Sequence, residues 1–157
     1  MRWPPTPTWT RTDSPIGPLL LVAGPDALLR LEVDGGHGSP GRRDDRALAA
    51  LRRVVAEWFD GSEELESLPV AESPRDFTRA VRRELRRVPR GSTVSYGELA
   101  ARVGRPRSAR AVGRAVATNP TALAVPCHRV VRNDGSLGGF AYGADCKRLL
   151  LGLEGVS

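Results

Sequence analysis

Residues Val94–Pro120 read VSYGELAARVGRPRSARAVGRAVATNP. Ser95-Tyr96-Gly97-Glu98 has the S-x-x-E spacing of a capping box and predicts a short helix through Val103. Gly104 ends that helix, and Pro106 suits the first turn of a second one, running to Ala117. The second helix is slim, with Ala109, Ala111, Gly113, Ala115 and Ala117, and basic, with Arg107, Arg110 and Arg114. Asn119-Pro120 breaks it. Two short helices joined by a tight glycine-containing turn fit a helix-turn-helix, and small side chains let such a helix press closely into a groove.

Upstream, Pro89–Ser92 is a turn. Before it, Ser73-Pro74-Arg75-Asp76 predicts a cap, a first-turn proline and a capping-box acid. The helix that follows repeats Phe77, Val81, Leu85 and Val88, with six arginines between Arg75 and Arg87 on its other faces. Residues 60–73 are acidic and irregular, which places a boundary between domains 1–73 and 74–157. Within the first domain, Gly17–Ala23 and Leu28–Val33 read as strands around a Gly24-Pro25-Asp26 turn. Asp44–Phe59 reads as a helix with Leu48, Leu51, Val55, Trp58 and Phe59 on one face. Residues 1–12 read as a loose lead-in, and His37 as an exposed histidine in a glycine-rich loop.

Downstream, Leu123–Val125 is a short apolar run leading into Pro126-Cys127-His128-Arg129-Val130. Asn133–Gly139 is turn-rich, and Lys147–Leu153 reads as a final apolar helix ending at Glu154-Gly155. Cys127 and His128 bring a thiol beside an imidazole, in a chain with two cysteines and two histidines. A thiol with an ordinary pKa of about 8.5 becomes a nucleophile when a neighbouring base takes its proton. Adjacent side chains on an extended strand face opposite ways, so the pair couples through a bend or a bridging water. Asp134, Asp145 and Glu154 are candidates for the carboxylate that orients His128, and spacing alone does not choose among them.

Net charge is +6, unevenly spread: residues 1–73 carry 8 Lys+Arg against 12 Asp+Glu, residues 74–157 carry 16 against 6. A basic half suits a polyanion partner, although a solvated arginine face is the plainer alternative. No apolar run is long enough for a membrane span. Met1–Thr12 has no basic-then-apolar pattern, so the expected compartment is the cytoplasm, where free thiols persist. No Cys/His cluster has zinc-ligand spacing.

From Thr93 to Gly155 the chain resembles the O6-alkylguanine-DNA alkyltransferases, also called methylated-DNA–protein-cysteine methyltransferases. The matching pieces are VSYGELA (94–100), RSARAVGRA (107–115), Asn119-Pro120, PCHRVV (126–131), GSLGGF (135–140) and KRLLLGLEG (147–155), in the family's order. SPIGPLLLVA resembles the opening strand of the family's N-terminal lobe more loosely. The resemblance implies an α+β fold: a small ribonuclease-H-like N-terminal α/β lobe with a sheet, and a mostly helical, winged-helix-like C-terminal lobe. It implies that Cys127 accepts the alkyl group from O6-alkylguanine, and from O4-alkylthymine, in a single irreversible turnover. It casts His128 as a base acting through water, Glu154 as its orienting carboxylate, Asn119 as the brace of the turn and Tyr96 as a hydrogen-bond donor to the leaving guanine. It casts Arg110 as the side chain that fills the gap left by the flipped base, with Ala109, Gly113, Arg114 and Arg129 also on DNA. Val130, Gly138, Phe140, Ala141 and Tyr142 would form the base pocket. The implied partner is double-stranded DNA approached in the minor groove by a monomer associated with the nucleoid, with no cofactor and no metal.

Arg82 stands next to Val81, where family members commonly carry an aromatic, which predicts thinner packing between lobes. Tyr142 stands where many relatives carry a small residue, which predicts a narrowed pocket. Three other readings are a non-catalytic lesion binder, which would lack the acceptor cysteine, a helix-turn-helix regulator, which would have no use for PCHRV, and a cysteine hydrolase, which would need an oxyanion hole.

Overall fold

The computed structural model describes residues 1–39 and 41–156. The chain is mixed α+β and forms two compact units, Met1–Ala71 with Pro120–Ala124, and Glu72–Asn119 with Val125 onward. Residues 120–124, which the sequence keeps with the C-terminal domain, group with the first unit because their backbone pairs with a strand there.

The first unit holds a four-stranded sheet of order β3-β2-β1-β4, from β1 (Thr8–Thr12), β2 (Leu19–Ala23), β3 (Leu28–Val33) and β4 (Arg42–Arg43). The two longer pairings are antiparallel, and β4 lies parallel to β1. Every residue of β2 is buried, as its unbroken apolar run requires. Gly17 stays outside the strand: at φ +103° it closes a turn, its N–H donating to the Ser14 carbonyl at 3.0 Å.

The expected lead-in contains β1. Threonine is β-branched and suits a pleated strand, and TWTRT alternates with a period of two. Thr8 and Thr10 turn inward, and Thr10 Oγ1 donates to Asp45 Oδ1 at 2.7 Å. The outer edge of β3 is covered by two single bridges, to Val70 and to Thr121. Leu31 donates to the Pro120 carbonyl at 2.9 Å and accepts from Ala122 N–H at 3.0 Å, which occupies an edge otherwise open to strand addition.

Helix α1 spans Ala49–Phe59 and buries Leu51, Val54, Val55 and Trp58. It starts later than the sequence predicts because Asp44 Oδ1 accepts from Ala47 N–H at 2.9 Å and holds a turn first. Trp58 Nε1 donates at 3.1 Å to Oε2 of Glu66, which lies on the short α2 (Glu64–Ser67).

In the second unit, α3 (Asp76–Leu85), α4 (Tyr96–Arg102) and α5 (Ala109–Ala117) pack on one another. Val81, Leu85, Leu99, Val112 and Val116 are buried there. The expected cap at Ser73 is displaced: Ser73 Oγ accepts from Arg75 N–H, and Arg75 is the N-cap without a side-chain cap of its own. A 3₁₀ turn, Cys127–Arg129, leads into β6 (Val130–Val131), which pairs in parallel with β5 (Val94–Ser95). Helix α6 (Ala144–Leu153) ends the unit, beginning three residues before the predicted start. Among the described residues no helix is long and apolar enough to cross a membrane.

The capping box at α4 forms in full. Ser95 Oγ accepts from Glu98 N–H at 3.0 Å, and Glu98 Oε1 accepts from Ser95 N–H at 3.3 Å. Ser95→Ala is expected to cost about 1 kcal/mol and lower Tm by roughly 2–4 °C, read by thermal denaturation. An unchanged Tm would assign the cap no weight in starting α4.

Candidate active site

The bend that the Cys127-His128 pair needs is the 3₁₀ turn. Pro126 precedes it as N-cap, and Arg129 N–H donates back to the Pro126 carbonyl at 3.0 Å. Asn119, just past α5, fastens this turn: its Nδ2 donates to the Val125 carbonyl at 2.9 Å, which also accepts from Cys127 N–H at 2.8 Å. Cys127 is 8% exposed. Burial pushes its thiol pKa up, and a hydrogen bond with Asn119 pulls the other way. The resting sulfur is therefore a thiol that needs a base to attack.

His128 is fully buried, and its Nε2 lies 2.8 Å from Glu154 Oε1. Of the three candidate carboxylates, Glu154 is the one at the imidazole. Asp134 accepts from Ser136 N–H at 2.9 Å and Asp145 pairs with Arg148 at 3.0 Å, both at the exposed surface. The Glu154 side chain has no solvent exposure. Burial alone would raise its pKa, but hydrogen bonds from His128 and Arg129 outweigh that and hold it at about 2.

Arg129 requires a correction. Expected on DNA, it is fully buried. Its Nη2 donates to Glu154 Oε1 at 2.7 Å, its Nε to Oε2 at 3.0 Å and its Nη1 to the Val88 carbonyl at 2.9 Å. A guanidinium held by a buried carboxylate and a carbonyl cannot reach a phosphate. Its place in the sequence beside Cys127 and His128 suggests the surface, and only the packing of α6 against the turn shows otherwise.

Tyr96 opens α4 directly after the cap residue and is half-buried; burial raises its phenol pKa. Two glycines lie beside its ring, and a Cβ at either would make an ordinary contact with it. A Cβ at Gly113 would lie 3.9 Å from Tyr96 Cε1, and one at Gly138, where φ is +72°, would lie 3.4 Å from Cε2. On α5, Val112, Ala115 and Val116 face inward, leaving Arg110, Gly113, Arg114 and Ala117 along the outer face at helical spacing. Tyr96, Ala109, Arg110, Gly113, Arg132 and Asn133 line an open cleft of about 380 Å³. Arg132 in this cleft is a residue that the sequence did not single out, although it closes the PCHRVVR run.

Val130 is fully buried on β6. Phe140 and Tyr142 meet edge to face with ring centroids 5.6 Å apart, and Ala141 between them is exposed. Lys147, predicted only as part of an apolar helix, is fully buried on α6 and donates to the carbonyls of Val130, Leu137 and Gly139. Arg82 reaches α5 within this unit: its Nε donates to the Ala115 carbonyl at 3.1 Å and its Nη2 to Thr118 Oγ1 at 3.0 Å. The residue in the place of an aromatic thus caps the end of α5. Among the described residues no group of three or more His, Cys, Asp or Glu is placed to hold a metal ion.

Residues 76–156 match the family described as 6-O-methylguanine DNA methyltransferase, DNA binding domain. The chain is similar to the methylated-DNA–protein-cysteine methyltransferase of Mycolicibacterium paratuberculosis, with 42% identity over 149 residues, 90% of this chain and 88% of the relative. With the enzyme of that name from Methanosarcina barkeri it shares 37% identity over 147 residues, 90% of this chain and 93% of the relative. Its fold is similar to the crystal structure of Mycobacterium tuberculosis OGT in complex with DNA, with a TM-score of 0.80, 34% identity, and coverage of 94% of this chain and 93% of that one. A thiol and a carboxylate-bound imidazole on one turn, a slim arginine-bearing helix beside them and these relatives agree: the chain belongs to the methylated-DNA–protein-cysteine methyltransferase family.

Proposed function

We propose that this protein repairs DNA by moving the alkyl group of O6-alkylguanine, and of O4-alkylthymine, onto Cys127. The observation that carries this reading is the 2.8 Å contact between His128 and Glu154 on the turn that bears Cys127. Glu154 stays anionic because His128 and Arg129 hold it so, and a fixed carboxylate favours the imidazolium that forms when His128 takes a proton. The Cys127 proton passes to His128 through a bridging water. The sulfur attacks the alkyl carbon, the C–S bond forms, the C–O bond breaks, and guanine leaves with the electron pair. Tyr96 donates a hydrogen bond to the leaving base, and the proton held by His128 returns to the purine through solvent. The product is a thioether, so each molecule reacts once and needs no cofactor.

An alkylated guanine oxygen is buried in the stack, so the base must be extruded at a cost of a few kcal/mol. The outer face of α5 lies in the minor groove, and Arg110, exposed at the rim of the cleft, fills the gap in the duplex. Val130, Gly138, Phe140, Ala141 and Tyr142 hold the extruded base. The protein acts as a monomer in the cytoplasm, on the nucleoid. The ribonuclease-H-like and winged-helix-like descriptions of the two lobes belong to the same reading.

Incubation with an oligonucleotide containing O6-methylguanine, followed by peptide mass spectrometry, tests it. One added methylene on the Cys127 peptide is the expected result; an unmodified peptide with the DNA still bound would replace repair with lesion binding. Arg102, Arg105, Arg107, Arg110 and Arg114 are all exposed around α4 and α5. If several of them meet phosphates, a plot of log affinity against log salt falls with a slope of about −3 to −5. A flat plot in fluorescence anisotropy titrations would contradict this binding mode.

A further inference from the structure

Among the described residues, Lys147 is the fully buried ionisable group that the proposed transfer does not use. It lies on α6 with no solvent exposure. An ammonium at such a place is costly, and methionine or leucine would fill the same apolar face without that cost. Three backbone carbonyls offset it. Val130, one residue beyond the Cys127 turn, accepts from Nζ at 2.6 Å. Leu137 and Gly139, which flank Gly138 in the pocket loop, accept from the same nitrogen. One side chain thus joins three separate segments: α6, the turn with its strand β6, and the loop 137–139.

We propose that Lys147 is a positioning residue for alkyl transfer: tethered by the carbonyls of Val130, Leu137 and Gly139, its ammonium clips the pocket loop to the Cys127 turn and sets a buried positive charge facing the attacking thiolate. The inference rests on the transfer reading above. The titratable groups facing Cys127 come from several elements: His128 on its own turn, Arg82 on α3, Tyr96 on α4, and Cys146 and Lys147 on α6. Arg132 acts on Lys147 in turn. Of the two cations among the described residues that face the sulfur, Lys147 is the one bonded to the strand residue that directly follows the turn. Burial lowers its pKa to about 8, and the Cys127 thiolate pulls it back up. The ammonium is therefore best retained when the thiolate is present, which is the state that attacks.

The test is the pH dependence of Cys127 reaction with iodoacetamide, read on the Cys127 peptide, in the parent protein, Lys147→Met and Lys147→Arg. Lys147→Met is expected to move the log-rate curve about one pH unit upward and to slow alkyl transfer at pH 7 about tenfold. Lys147→Arg keeps a cation and is expected to recover most of the displacement. A folded Lys147→Met with an unmoved curve overturns the proposal, because a purely structural staple would not shift thiol reactivity. Should Lys147→Met not fold, linkage supplies a second measurement that leaves Lys147 in place. Its Nζ titration, followed by NMR, is expected about half a unit lower in Cys127→Ser than in the parent, and coincident curves overturn the proposal. Iodoacetamide requires no lesion, so a normal displacement without transfer to lesion DNA would reject the repair reading and not this one.

Discussion

Cys127→Ser is expected to slow alkyl transfer by at least about 1000-fold while leaving affinity for lesion-containing DNA near the parent value. The side chain lies in a nearly closed site, 8% exposed, and serine is close to cysteine in size, so the turn and its neighbours keep their places. What changes is the proposed nucleophile. A hydroxyl is far harder to ionise than a thiol, and the burial that already raises the thiol pKa penalises an alkoxide as well. Single-turnover transfer from a labelled O6-methylguanine duplex gives the rate, and anisotropy gives the affinity. Transfer that persists in Cys127→Ser, with the label on Cys146, would move the acceptor to that half-buried thiol of α6 and sink the assignment.

Glu154→Ala is expected to destabilise the protein by about 3–5 kcal/mol, because it leaves the Arg129 guanidinium buried without its carboxylate. The same contacts predict an acid limb. Glu154 has a folded pKa of about 2 against an ordinary 4.5. Its contribution is therefore complete above about pH 4.5 and is lost as pH falls from there towards 2. Urea midpoints across this range measure it, and Glu154→Gln should flatten the limb. Some slope will remain from surface pairs such as Glu72 with Arg83. Transfer should slow by about 100-fold in Glu154→Gln, since His128 loses the anion that favours its imidazolium. An acid limb identical in parent and variant would show that the pair does not hold the fold together.

The helical part of the second unit was open to reading from local signals. Ser95 and Glu98 form the predicted box, Gly104 ends α4 at φ +77°, and of the slim positions of α5, Gly113 and Ala117 lie along its outer face while Ala115 packs inward. These features depend on neighbours three or four residues away, and such patterns survive in one dimension. Helix starts were less legible. α1 and α3 begin late because Asp44 and Ser73 spend their side chains on turns ahead of the helix. Strand β1 hid behind threonine and arginine, since its inward face is completed by a hydrogen bond to Asp45, 35 residues away.

The site divides along the same line. The sequence by itself placed a thiol, an imidazole and a proline-led bend together, because adjacency along the chain is enough to join Cys127 to His128. Spacing left Glu154 open beside Asp134 and Asp145, the family resemblance singled it out, and the folded chain brings it to the imidazole; sinking Arg129 into the interior and bringing Lys147 onto three carbonyls were decided by tertiary structure alone. Each depends on α6 and the residue after it packing back against the turn, β6 and the loop that follows, between 8 and 26 residues earlier. A buried charge is tolerated only where that packing supplies its partner.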